Sequence, residues 1–339
     1  MISRFFIFAW MLGFASLHGA EAKPRPGPAN PRHLALMEAA LPQAATAKPK
    51  QARRLLVFSR CEGFVHSSIP LGEAALVRLG EVTGAYTAEV SQDMALFTPQ
   101  RLAAYDAIVF LNSTSLAFDD SEARNALLEF VRGGKGVGGI HAGSDNFKTW
   151  PEGQALIGGV FHSHPWNSGD LVAIQLEEPG HPLVHAFGGN GFWLREEIYR
   201  FKDQPYSRDR QRVVMGLDMT KTENQRPGKM RADNDHAVSW LRTEGSGRVF
   251  YTGIGHREDV YLVPAIQRHF LDGLQYILGD LDADAVPSAK LATAPVIVPA
   301  PEDHTSLQVK AGLPDAPPAK AQSATSAPSA PTTAAPPRN

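Results

Sequence analysis

Apolar residues recur along this chain with two different periods, and the alternation between them predicts strands and helices in turn. Residues 54–59 and 106–111 are near-continuous apolar runs of strand length, and residues 135–140 form a third, glycine-rich run. A weaker strand is predicted near residues 86–90. Between them, residues 71–84 place Leu71, Ala75, Leu76 and Leu79 on one helical face. A second helix is predicted to start at a cap on Asp119 or Ser121, run to Arg132 and stop at Gly133 and Gly134. Apolar strands alternating with amphipathic helices imply a parallel sheet covered on both faces. Residues 172–176, 213–217, 237–240 and 248–252 read as further strands, and residues 263–278 as a closing helix. Their short, alternating pattern predicts an antiparallel extension of the sheet.

In parallel sheets ligands bind beyond the carboxyl ends of the strands. The loops carrying His66, Asn112 and His141 are predicted to lie at that edge. The segment Gly139-Ile140-His141-Ala142-Gly143 has the layout of a nucleophile elbow with histidine in place of serine or cysteine. Such a histidine suits a general base, a proton shuttle or a metal ligand, and the alternative is a purely shape-giving turn. Asp145 follows His141 by four residues and would share a helix face with it, orienting the imidazole; a capping role for Ser144 or Asp145 is the other reading.

His66, His162, His164 and His256 also stand in polar loops next to predicted elements, and Glu197 in a comparable place. His162 and His164 would project to one side of an extended segment, which makes them candidate ligands of a divalent metal. No cofactor is otherwise implied, and no zinc-type spacing is present. Trp150, Trp166, Trp193 and Trp240 fall near the same loops, where aromatic faces suit sugar rings or simply pack. Residues 233–236 resemble a calcium loop only superficially.

The formal net charge of −2 over 339 residues gives no support for nucleic acid or an anionic membrane as partner, so a small molecule is the default. Residues 1–22 read as a signal peptide, with Arg4, an apolar run and a small-residue cleavage site, which predicts export to the periplasm or beyond without a retained membrane span. The single cysteine, Cys61, excludes an internal disulfide. Residues 23–51 and 282–339 are rich in Pro and Ala and are predicted to be a disordered linker and tail around one domain at 52–281.

The ordered series of motifs resembles the trehalose-utilisation (ThuA-like) family. The residues that carry the resemblance are Gly63-Phe64-Val65-His66, Tyr105-Asp106-Ala107-Ile108, Gly139-Ile140-His141-Ala142 and Trp150. It continues through Leu156-Ile157-Gly158-Gly159, His164-Pro165, His181-Pro182, Glu196-Glu197-Ile198-Tyr199 and Gly253-Ile254-Gly255-His256. The resemblance implies a flavodoxin-like, class I glutamine amidotransferase-like three-layer α/β sandwich, with a mostly parallel central sheet and an antiparallel extension, lacking the amidotransferase cysteine. It also implies a role in handling glucosides, especially those oxidised to 3-keto sugars by a partner sugar dehydrogenase in the same pathway. Glu196 stands where the family usually has aspartate, and Gly143 extends the usual Gly-Ile-His-Ala.

These readings lead to a base-catalysed elimination, hydrolysis or isomerisation. His141 would be the base and Asp145 its partner; His66, His256 and Glu197, or a metal among them, would stabilise developing charge. Asn112, Trp150, Trp166, Tyr199 and Trp240 would bind the sugar. A two-carboxylate glycoside hydrolase using Asp145, Glu196 or Glu197 and a non-enzymatic carbohydrate-binding or scaffold domain are the alternatives.

Overall fold

The apolar runs become the centre of one large sheet. The computed structural model describes residues 21–315. In chain order the strands are β1 (Arg54–Phe58), β2 (Thr87–Ser91), β3 (Ala107–Leu111), β4 (Gly136–Ile140), β5 (Phe161–Trp166) and β6 (Leu171–Glu177). They continue with β7 (Phe192–Arg195), β8 (Ile198–Phe201), β9 (Arg212–Leu217), β10 (Ala237–Glu244), β11 (Gly247–Thr252) and β12 (Ile297–Val298). The helices are α1 (Pro31–Ala40), α2 (Ile69–Thr83), α3 (Pro99–Leu102), α4 (Ser121–Arg132), α5 (Pro151–Ile157), α6 (Pro264–Ile277) and α7 (Leu307–Lys310).

Strands run in the order β2-β1-β3-β4-β11 as a parallel core, which continues antiparallel through β10, β9 and β6; β6 then pairs with both β7 and β12. Strands β5 and β8 form a separate ribbon. Alternate residues of each core strand feed the two faces. Leu55, Val57, Ala107 and Val109 pack with α2 and α6, while Leu56, Phe58, Ile108 and Phe110 pack with α4 and α5. The result is the three-layer sandwich expected. Strand β4 carries glycines because a helix lies directly on it: a Cβ at Gly136 would come within 2.0 Å of the Ile277 carbonyl of α6.

The register levels the strand ends. Phe58 pairs with Phe110, Leu111 with Ile140, and Ile140 with Thr252. The loops that follow β1, β3, β4 and β11 therefore emerge side by side. Among the described residues no helix is long and apolar enough to cross a membrane.

Several expectations need correction. Asp120, rather than Asp119 or Ser121, caps α4, its side chain accepting the Glu122 N–H. Residues 23–51 are not a disordered linker: α1 buries Met37 and Ala40, and Gln275 ties down the backbone of Thr46 and Ala47. Nor is the tail disordered as far as residue 315. Arg212 pairs with Glu178 and Asp284, β12 pairs with β6, Trp193 donates to the Pro301 carbonyl, and Gln308 of α7 bonds the backbone of Arg195. A few buried anchors order a segment whose average composition is too polar and proline-rich to suggest it. The first 20 residues of the expected signal peptide, and residues 316–339, lie outside the described residues.

Candidate functional site

The elbow is real, and its backbone is unusual. His141 adopts a left-handed conformation (φ +48°) at the end of β4 and opens a 3-10 turn, His141–Ser144. Gly143 must be glycine because a Cβ there would lie 2.5 Å from the Phe110 carbonyl. The Tyr251 hydroxyl donates to the His141 carbonyl at 2.8 Å and holds the turn from β11.

The His141 ring is fully buried, and its Nδ1 lies 3.0 Å from the Gly253 carbonyl. A carbonyl only accepts, so Nδ1 carries the proton and Nε2 keeps its lone pair. That Nε2 has no hydrogen-bond partner and stands 3.6 Å from Glu197 Oε1. His66, from the loop after β1, and His256, from the loop after β11, each leave a buried Nδ1 without a partner. The three imidazoles form a triangle with ring centroids 5.1 Å apart and planes at 80–89°. Glu197, in the turn between β7 and β8, closes the group: one ligand atom from each of His66, His141, Glu197 and His256 lies within 4.8 Å of all the others.

Charge within the cluster is polarised. Burial, reinforced by the neighbouring imidazoles, holds His66 well below the usual histidine range. Burial likewise pushes His256 down to about 4, with His141 adding to the effect and Glu197 opposing it. Burial disfavours the Glu197 carboxylate, but the closeness of His141 and of the other imidazoles outweighs it and keeps the carboxyl below its ordinary value. At neutral pH His66 and His256 thus present neutral nitrogens to an ionised carboxylate.

Glu196 acts on its neighbours through the backbone. It is fully buried, takes the Glu197 N–H at 2.7 Å on Oε1, and takes the N–H groups of Gly255 (3.3 Å) and Arg257 (3.4 Å) on Oε2. It therefore binds the turn of Glu197 to the loop of His256. Burial pushes its carboxyl up to about 8.

The other expected site residues divide. Tyr199 walls the cluster, its ring 4.4 Å from that of His141, and His164 approaches Glu197 with Nδ1 3.4 Å from Oε2. His162 does not join: β5 carries a register shift between Phe161 and Ser163, and the exposed His162 ring contacts Ser163 Oγ instead. The bulge breaks the period-two alternation that would have aligned the two rings. Asp145 does not orient His141. The 3-10 turn replaces the helix that would have brought them together, and Asp145 pairs with Lys148 at 3.1 Å while the Gly253 carbonyl orients the ring. Asn112 is buried and spent on structure, donating to Ser68 Oγ (3.0 Å) and the Gly255 carbonyl (2.9 Å). The tryptophans pack: Trp150 stacks on Phe118, Trp166 donates to the Asn224 carbonyl, and Trp240 donates to the Ile157 carbonyl and stacks on Tyr251. None offers a face to a sugar. In residues 233–236 the carboxylates are taken by Arg231, Arg208 and Tyr206. Sequence reading missed the Gly253 carbonyl, Tyr251 and the bridging role of Glu196.

Cys61 lies in the loop after β1, buried, with Sγ 3.3 Å from the Asn112 carbonyl, and burial pushes its thiol up. Cys61→Ala is expected to leave turnover of any substrate unchanged in steady-state assays; a hundredfold loss would restore a thiol mechanism.

Comparison with known proteins agrees with this architecture. Among curated proteins none matches the chain. Two solved structures are similar: a putative ThuA-like protein from Bacteroides uniformis (18% identity, TM-score 0.55, covering 68% of this chain and 94% of that one), and another from Parabacteroides merdae (16%, 0.53, 69% and 93%). At these identities the likeness shows the fold, a large mixed α/β sandwich of the glutamine amidotransferase type. The sequence profile of the ThuA (trehalose utilisation) family matches residues 54–277, two thirds of the chain, and this protein belongs to that family.

Proposed function

We propose that this protein is an exported enzyme that processes glucosides carrying a keto group on the sugar ring. Family membership supports a carbohydrate-related role. The observation that carries the chemical reading is the convergence of three imidazoles, two of them buried and that of His256 half-buried, and one carboxylate, with unpartnered ring nitrogens, at the carboxyl edge of the sheet.

A divalent first-row ion fits this donor set. The nitrogens are buried and unpaired, burial keeps His66 and His256 neutral, and the Gly253 carbonyl fixes the His141 tautomer that leaves Nε2 free to ligate. When bound, the ion would supply Lewis-acid polarisation of a carbonyl oxygen. This reading makes His141 a ligand rather than the base, because its one available lone pair points into the cluster. His164 is then the group that takes the proton: its ring is 47% exposed on the open side, beside Glu197. A 3-keto group acidifies the hydrogen on the adjacent carbon C2. His164 accepts that proton, the electron pair enters the enolate, and its collapse expels the glycosidic oxygen from C1, which takes the proton back from His164 and leaves as the alcohol. Protonation of the enediolate at C3 instead, with the C2 hydroxyl proton passing to the C3 oxygen, moves the keto group to C2.

A two-carboxylate glycosidase is disfavoured, since Glu196 is buried on backbone donors and Asp145 is tied to Lys148. The substrate would come from a sugar dehydrogenase, and the signal-like first 22 residues support export. The test is incubation of the purified chain with glucosides and their 3-keto forms, with and without chelator, followed by mass spectrometry. Conversion of keto forms alone, lost with chelator, is the expected result. Chelator-resistant conversion would return the base role to His141, and sugar binding without conversion would make this a binding domain.

A further inference from the structure

We infer that Phe64 is the sugar-stacking platform of this site, a specificity residue outside the imidazole cluster. The inference rests on the carbohydrate reading above. Six large apolar side chains are exposed among the described residues: Leu36, Phe64, Val286, Val296, Ile297 and Val309. Five of them belong to the segments that flank the domain, so Phe64 is the only one within residues 52–281, and it is the only aromatic one. It is 63% exposed, and its ring lies 4.8 Å from that of His66, at 79° to it. The platform therefore meets a member of the cluster at right angles, and most of the residue is open to solvent.

The loop presents this ring rigidly. Glu62 and Gly63 donate their N–H groups to the Thr114 carbonyl at 2.9 and 3.3 Å, and Thr114 Oγ1 donates to the Phe64 carbonyl at 2.6 Å. A Cβ at Gly63 would meet Ser115 Oγ at 2.5 Å, so the loop lies tightly on the one that follows β3. An exposed phenyl ring on a pinned loop is preorganised for a flat partner with an apolar face, which a pyranose ring supplies through its C–H bonds. A sugar seated on Phe64 directs its polar edge to the neighbouring imidazoles and Glu197. The buried tryptophans cannot serve this purpose, so the aromatic contact that a sugar site needs falls to Phe64.

The test uses the full chain with Phe64→Ala and Phe64→Trp, titrated calorimetrically with methyl glucoside and its 3-keto form and assayed for conversion; melting curves check the fold. Phe64→Ala should raise Kd and KM roughly tenfold, with kcat within about twofold of the parent, and Phe64→Trp should restore both. Unchanged Kd and KM would overturn the platform, as would a loss of kcat alone, which would mean that the ring only supports His66. If the parent binds sugar without converting it, the enzymatic reading fails while Kd still decides the role of Phe64. If the parent binds no sugar, both fail.

Discussion

His141→Ala should release divalent metal and lower turnover by at least about a hundredfold while the fold survives. The ring supplies one of four converging ligand atoms and is held by a single hydrogen bond to the Gly253 carbonyl. Its loss takes one of the four converging donors and leaves two imidazoles and a carboxylate placed for a four-donor group, so metal affinity should fall steeply. Because position 141 is left-handed, alanine there could strain the turn, so His141→Asn provides the control: asparagine tolerates positive φ and lacks the imidazole lone pair. Metal content by mass spectrometry, the visible spectrum of the cobalt-substituted protein and circular dichroism separate the outcomes. Folded, metal-free and inactive variants support the ligand role. Retained metal with lost turnover would make His141 the base. Retention of both would remove it from the site.

That the cluster could be found at all without coordinates follows from strand ends. Near-continuous apolar runs of strand length at residues 54–59 and 106–111 read as buried strands, and a histidine shortly after such a strand emerges at its carboxyl edge. His66, His141 and His256 were legible for that reason, and Glu197 from a comparable loop position as well as through the motif it shares with the family. What escaped depends on contacts between residues far apart in the chain. The Gly253 carbonyl and the Tyr251 hydroxyl reach His141 across more than a hundred residues, and a backbone carbonyl leaves no trace in residue type. Asp145 was misread because four-residue spacing means contact in an α-helix, whereas the chain forms a 3-10 turn. His162 was misread because a bulge is invisible to an alternation rule. Aromatic residues near polar loops do not announce their exposure, which is why the tryptophans were read as sugar contacts and Phe64 only as part of a family motif.

The acid limb of stability should be steep and should be traceable to buried histidines that do no chemistry. His236 and His269 are each pushed down to about 4, chiefly by burial, whereas in the unfolded chain they titrate at the ordinary value of 6.5. A depressed imidazole favours the folded state fully above 6.5, and that contribution is lost as pH falls towards 4, because the unfolded chain takes up the proton first. Glu196 and Asp272 act in the opposite sense: burial raises them to about 8 and about 6, so folding gains as pH falls through those values. Five imidazoles are lowered, those of His66, His181, His236, His256 and His269, and they outnumber the three raised carboxyls of Asp145, Glu196 and Asp272. Stability should therefore decline from pH 6.5 to 4.5. His236 isolates the effect, since both its ring nitrogens lack partners and the ring packs against Trp166 at 4.9 Å, close to Asp235, Asp233, Arg231 and Arg200. In His236→Phe the loss between pH 7 and pH 5 should shrink by about 2 kcal/mol, or a few degrees in Tm. Comparing the two pH values within each protein cancels any strain from the larger ring. An unchanged difference, measured by denaturant titration at both pH values, would mean that His236 is not buried as a neutral ring.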